Sequence, residues 1–218
     1  MSTYQVPLLS TVPSLFAPLP RRTYDVIYAD PPWSYSDKSL NRGGAERHYQ
    51  TVGIDELKTL PVADIAARDS VLLLWATWPT LSDAFELIKA WGFTYKTCAF
   101  CWVKQTKDGS KFTIGGGAYT RANSEPCLLA TRGDVLPRYS RSVRQILESN
   151  DAEALLSPRG SHSVKPAEAR DRIVELFGDR PRIELFARSA PIGWDYWGDQ
   201  APLPFGDDID YDSGEIIM

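Results

Sequence analysis

At 218 residues, with 43% apolar and 24% charged side chains, the chain suits one domain with a substantial core, and it contains no apolar window approaching a membrane span. Its formal charge of -4 excludes a large basic footprint; the last 18 residues carry Asp207, Asp208, Asp210, Asp212 and Glu215 without a base, which leaves the rest at +1, so nucleic-acid affinity has to come from a local patch or a partner. With no early cationic segment running into an apolar one, and with three cysteines that make no disulfide framework, the expected location is the cytoplasm.

Residues 1–22 mix Pro7, Pro13, Pro18 and Pro20 with leucines and Phe16, which predicts an extended arm rather than a helix. Tyr24 to Ala29 is rich in β-branched and aromatic side chains and stops at Asp30-Pro31-Pro32-Trp33. Two successive prolines cannot donate to a ladder, so a strand ends there and leaves Asp30 at its carboxyl end, where open α/β sheets place their ligands. The polar stretch from there to about Gln50 predicts a lid.

Ile54–Leu60 and Val62–Ala67 read as short helices broken by Pro61, and Val71–Trp75 as a fully buried strand. Leu81, Ala84, Phe85, Ile88 and Trp91 fall at helical spacing before a Gly92 cap, and Phe93–Lys104 is the next strand. This alternation predicts a mostly parallel sheet. Gln105–Ala118, with Gly115-Gly116-Gly117, reads as a mobile loop at the edge of the first lid, and Glu125–Thr131 as a strand.

Arg132, Arg138, Arg141 and Arg144 then cluster with Tyr139, either as a solvated face or as a phosphate-contacting patch. Glu148–Leu156 resembles a loosely helical acidic insertion. A helix capped near Ser163 runs to Phe177 and a Gly178 stop, Arg182–Ala187 is the last core strand, and residues 201–218 read as a disordered tail. Cys98 and Cys101 form a lone CxxC in a strand, where residues three apart face opposite sides; two buried thiols are expected rather than a metal site.

The chemistry that wants Asp30-Pro31-Pro32-Trp33 is methylation of an exocyclic amine. The lone pair of such an amine is delocalised into its ring, so a catalyst has to draw both N–H bonds toward acceptors. Asp30 can accept one and the Pro31 carbonyl, held by proline's fixed φ, the other, while Trp33 offers a face for the base. On these four residues alone, a turn that merely punctuates a strand remains an equal reading.

Asp30-Pro31-Pro32-Trp33, Trp102-Val103-Lys104, Arg121-Ala122-Asn123-Ser124-Glu125, Ser163-Val164-Lys165-Pro166, Glu184-Leu185-Phe186-Ala187-Arg188 and Trp197-Gly198 together resemble, in order and spacing, the family of the messenger-RNA adenosine N6-methyltransferase and its bacterial and phage relatives. The resemblance runs from about Tyr24 to Gln200 and implies an α/β, Rossmann-like methyltransferase domain over 23–200, with a mostly parallel central sheet and a permuted motif order. It implies S-adenosylmethionine as donor, with Lys165 on the methionyl carboxylate, Glu184 on the ribose hydroxyls, and Arg188, Asp199 and Gln200 lining the same pocket; Asp199 stands where several relatives carry asparagine. It puts Tyr35, Tyr49, Lys104, Arg121, Asn123 and Glu125 on the substrate side. The implied activity is adenine-N6 methylation of DNA. RNA is the alternative within the same chemistry, and a non-catalytic nucleic-acid-binding partner subunit is the alternative outside it; cytosine-N4 methylation uses a similar motif. No metal or membrane is implied, and a homo- or heterodimer or a recognition subunit is an expected partner.

Overall fold

The computed structural model describes residues 18–34, 51–106, 108–115, 119–150 and 164–202. The first lid, most of the arm, the acidic tail beyond Pro202 and the stretch from Asp151 to Ser163 lie outside the described residues.

The strands are β1 (Tyr24–Ala29), β2 (Ala66–Trp75), β3 (Thr94–Gln105), β4 (Ser124–Arg132), β5 (Ile146–Asn150), β6 (Arg182–Leu185) and β7 (Asp195–Trp197). The helices are α1 (Ile54–Thr59), α2 (Val62–Ile65), α3 (Leu81–Ala90) and α4 (Ala167–Phe177). The strands form one sheet in the order β5-β3-β4-β2-β1-β6-β7. β1 pairs in parallel with β2 and β6, β3 with β5, and β6 with β7, whereas β4 is antiparallel to both β2 and β3. Six strands therefore point one way and β4 alone points back. This is the expected mostly parallel α/β sheet, in which β2 and β3 are not neighbours because β4 is wedged between them.

β1 and β2 sit at the centre, and their uninterrupted apolar runs are buried on both faces, as parallel strands covered from two sides require. On one face Ile27, Ala29, Leu72, Leu74, Ile183 and Leu185 pack against Leu57 of α1 and Ala84, Leu87 and Ile88 of α3. On the other, Val26, Tyr28, Leu73, Trp75, Phe100 and Trp102 pack against Ala169, Ile173 and Phe177 of α4. Gly92, at φ 81°, takes the left-handed position that ends α3. Phe85, expected on the inner stripe of that helix, is 40% exposed and meets Tyr95 edge-on with ring centres 4.9 Å apart.

Three local expectations are corrected. The second short helix closes at Ile65, and Ala66 and Ala67 already belong to β2. Residues 146–150, whose last three were expected to open an acidic helix, form the edge strand β5; it needs only Leu147 turned inward. A register shift between Cys98 and Phe100 sets Cys98 opposite Leu128 and Cys101 opposite Pro126. Since those partners are two apart on β4, both thiols share a face after all. They are free thiols, and among the described residues no group of three or more His, Cys, Asp or Glu could hold a metal ion.

Trp91 fastens the helical layer: its ring is buried, and its indole N–H donates to the Leu57 carbonyl at 3.0 Å, joining the end of α3 to α1. Trp91→Ala removes both the packing and the donor, and the expected cost is about 3–5 kcal/mol, read as a lowered urea midpoint with little change in slope.

Candidate active site

Asp30 leaves β1 as the chain turns at the two prolines. Its N–H points at the Leu185 carbonyl of β6 at 3.4 Å, the Trp33 N–H donates to the Pro31 carbonyl at 2.8 Å, and the Val52 N–H donates to the Pro32 carbonyl at 2.9 Å. The turn is thus pinned from both sides. The Pro31 oxygen, having accepted one N–H, keeps a second lone pair.

Trp33 does not do what the sequence suggested. Its ring is 5% exposed, inside the core cluster on the α1 and α3 face, and its indole N–H donates to the Trp75 carbonyl at 3.0 Å. It anchors the motif to the end of β2 and offers no face to a base.

The Asp30 carboxylate faces Lys165, two residues before the start of α4, and the Lys165 ammonium donates to both of its oxygens at 2.8 Å. Lys165 also lies 3.4 Å from Glu125, and Glu125 lies 2.7 Å from Lys104. An alternating chain Asp30–Lys165–Glu125–Lys104 therefore crosses one edge of the sheet. That edge holds the carboxyl ends of β1, β2 and β3, and the reversed β4 brings its amino end, with Glu125, to the same place. Trp75 and Trp102 floor it, with the Lys165 ammonium 5.5 Å from the first ring centre and the Lys104 ammonium 4.5 Å from the second. The Trp75 indole N–H in turn donates to the Tyr28 hydroxyl at 2.7 Å.

Burial alone would push the Glu125 carboxyl up, but Lys165 and then Lys104 outweigh it and hold it below the ordinary glutamate value. Burial would likewise depress the Lys165 ammonium; Asp30 and Glu125 overcome that and lift it well above the ordinary lysine value, with Arg188 opposing them. Lys165 is thus a firmly protonated cation shared by two acids.

Glu184 lies one strand away, opposite Tyr28 in the β1–β6 register, with the Arg170 Nε of α4 donating to it at 2.7 Å. Burial raises its carboxyl above the ordinary value; Arg170 works against this, and the charge of Asp30 adds to it. Past β6, Phe186 sits at φ 61°, the one left-handed non-glycine residue among those described, with its ring edge-on to Trp197 at 5.5 Å. The Ala187 N–H donates to the Trp197 carbonyl at 2.9 Å. A Cβ on Gly198 would come within 2.4 Å of the Ala187 oxygen, so only glycine lets these two segments touch; Asp199 and Gln200 follow it directly, and Arg188 follows Ala187.

The structure thus brings Asp30, Lys104, Glu125, Lys165, Glu184 and Arg188 to one edge. Asn123 joins them through its carbonyl, which accepts the Lys104 N–H at 2.9 Å, while Arg121 is exposed just before it. Tyr35 and Tyr49 lie outside the described residues. Lys165 meets Asp30 and Glu125, and Glu184 meets Arg170, so neither of the two anticipated cofactor contacts is without a protein partner. Arg170 was missed: it belongs to no motif, and only its place on the inner side of α4 marks it. The arginine segment 132–144 starts at the opposite edge, where Arg132 closes β4 with its guanidinium on the Ala63 carbonyl at 2.6 Å, and it ends beside β3, where the Cys101 N–H donates to the Gln145 carbonyl at 2.9 Å and Ile146 of β5 pairs with Cys101. A cavity of about 430 Å³ lined by Arg22, Arg180, Arg182 and Trp194 also opens where β6 begins, far along the strands from the edge that holds Asp30.

The MT-A70 family profile matches residues 24–200. The chain is 37% identical to the type II methyltransferase M.MunI of a Mycoplasma species over 206 residues, covering 86% of this chain and 82% of that one. It is 26% identical over 181 residues to the N(6)-adenosine-methyltransferase MT-A70-like of Arabidopsis thaliana, covering 82% of this chain but 24% of the relative. With the human N(6)-adenine-specific methyltransferase METTL4 it shares 28% identity over 186 residues, 83% of this chain and 38% of the relative.

The charge chain has a pH signature. Because the folded Glu125 pKa lies below its ordinary value of 4.5, its stabilisation is complete above that value and is lost as the pH falls through the depressed one. Glu125→Gln is therefore expected to lower stability at neutral pH and to flatten the acid limb of the stability profile below about pH 5, checked by urea unfolding across pH.

Proposed function

The chain belongs to the MT-A70 family, and from that premise we propose that it methylates N6 of adenine in DNA with S-adenosylmethionine as donor. The observation that carries the reading is Asp30 at the carboxyl edge beside the Pro31 carbonyl, two oriented acceptors one residue apart. DNA is favoured over RNA because the chain matches 82% of a compact bacterial type II methyltransferase and at most about two fifths of the two longer eukaryotic relatives described above.

The residues at this edge fit the donor. Lys165 supplies a cation for a methionyl carboxylate, and Glu184 supplies an acceptor for a ribose diol from the strand next to Asp30; Arg188, Asp199 and Gln200 complete the wall. Glu125 remains beside Lys165 as a second acid, so Lys165 can turn from Asp30 toward another anion without becoming an isolated buried charge. The cofactor, when bound, supplies a methyl group on a sulfonium that is already activated for displacement.

The protein's part is position. Asp30 accepts one amino hydrogen and Pro31 the other, which turns the nitrogen lone pair toward the methyl carbon; one N–H is exchanged for N–CH3, and the released proton leaves along the Asp30 carboxylate. No covalent intermediate with the enzyme forms. Holding reactants in near-attack geometry contributes roughly 7–11 kcal/mol. In a duplex the adenine is first extruded at a cost of a few kcal/mol. We assign its reception to Tyr35 and Tyr49 of the first lid, with Lys104, Arg121, Asn123 and Glu125 on the strand side. The near-neutral body leaves room for a second copy or a recognition subunit to hold the duplex, and we place the protein in the cytoplasm.

Incubation with labelled donor and matched DNA and RNA oligonucleotides, followed by mass identification of the nucleoside, is expected to give N6-methyldeoxyadenosine. Asp30→Ala is expected to lower transfer about 100- to 1,000-fold, the scale on which single preorganised polar groups act, while S-adenosylhomocysteine binds within a few-fold of wild type. Methylation of RNA alone, of cytosine, or of nothing would overturn the assignment.

A further inference from the structure

With Trp33 buried, the aromatic surface expected from the catalytic motif is not where the sequence placed it, and among the exposed aromatic side chains Trp78 is the indole the fold leaves half open. The chain has seven tryptophans; six are less than a tenth exposed, whereas Trp78 is 49% exposed. It opens the 3-10 turn Trp78–Thr80 that follows β2, at the edge that holds Asp30. Its orientation is fixed. The indole N–H donates to the Ser124 hydroxyl at 3.1 Å, Pro79 restricts the backbone beside it, and the Thr77 N–H donates to the Thr80 hydroxyl at 3.1 Å to close the turn.

Ser124 immediately precedes Glu125 on β4. Alternation along a strand sends the two side chains to opposite faces, so the indole borders the charge chain without entering it. A half-open indole held rigid by a hydrogen bond presents a flat face at little cost in side-chain entropy, which is what an unpaired base needs to stack on.

We propose that Trp78 is the stacking surface for the nucleotide next to the target adenine in the substrate strand. This rests on the reading of the chain as a DNA methyltransferase. It makes Trp78 a residue that binds and positions the strand and takes no part in the methyl transfer.

The test uses the full chain with saturating S-adenosylhomocysteine and a fluorescein-labelled, adenine-containing single-stranded DNA, read by anisotropy, together with steady-state methyl transfer. Trp78→Ala is expected to raise the Kd and KM for the oligonucleotide about 5- to 100-fold, the span of base–aromatic stacking, with kcat and S-adenosylhomocysteine affinity unchanged. Trp78→Phe recovers most of the loss. Wild-type tryptophan emission falls as unlabelled oligonucleotide binds, and Trp78→Phe abolishes that change. If wild type transfers methyl groups to DNA and Trp78→Ala binds the oligonucleotide equally well, or loses kcat instead of affinity, the stacking role is wrong. If wild type neither binds nor methylates DNA, the substrate reading itself fails, and the failure is visible before any variant is made.

Discussion

Four charged side chains taken out of water at one sheet edge would each cost several kcal/mol if left alone, and the fold has to arrange them so that none is. Lys165 is 8% exposed, Glu125 12% and Asp30 18%, so their pairing is close to a requirement of the folded state rather than a surface ornament. The alternation of sign along Asp30, Lys165, Glu125 and Lys104 satisfies it, and it uses β1, β3, β4 and the approach to α4 at once. Misplacing any of these by a strand register would strand a buried charge.

This requirement explains why β4 runs backward. In a wholly parallel sheet the amino end of that strand would lie at the far edge, and Glu125 with it. Reversal between β2 and β3 brings Glu125 level with Lys104 and within reach of Lys165. The same edge receives Glu184, with Arg170 reaching it from α4, so the two acids expected to serve different ligands sit on neighbouring strands, and the charge of Asp30 adds to burial in raising the Glu184 carboxyl.

Much of this was legible from the residues. The run Tyr24–Ala29 ending in Asp30-Pro31-Pro32 located both the central strand and the place of Asp30 at its carboxyl end, because proline's missing donor ends a ladder wherever it falls. The buried run Val71–Trp75 and the spacing of α3 were equally plain. Strand direction was not, since alternation and β-propensity look the same read either way, and so the wedge of β4 was invisible. β5 was missed because an edge strand has little to bury: Leu147 is buried while Ile146 is exposed, and Glu148, Ser149 and Asn150 read as anything but a strand. Trp33 misled because a tryptophan after two prolines reads as displayed; its burial depends on the Trp75 carbonyl, a partner 42 residues away that no local pattern announces. Arg170 carries no motif and became visible only as a neighbour of Glu184.

The pairing of β1 with β6 also bears on how the molecule comes into being. Asp30 and Lys165 are 135 residues apart, and β1 completes its hydrogen bonding only when a strand beginning at Arg182 docks beside it. Contacts of such long range raise contact order and come late in folding, after the local helices and the β3–β4 hairpin have had time to form. A chain in which β6 and Lys165 have not yet docked therefore carries Asp30 with nothing to hold it, and that corner of the sheet takes shape only with those distant contacts.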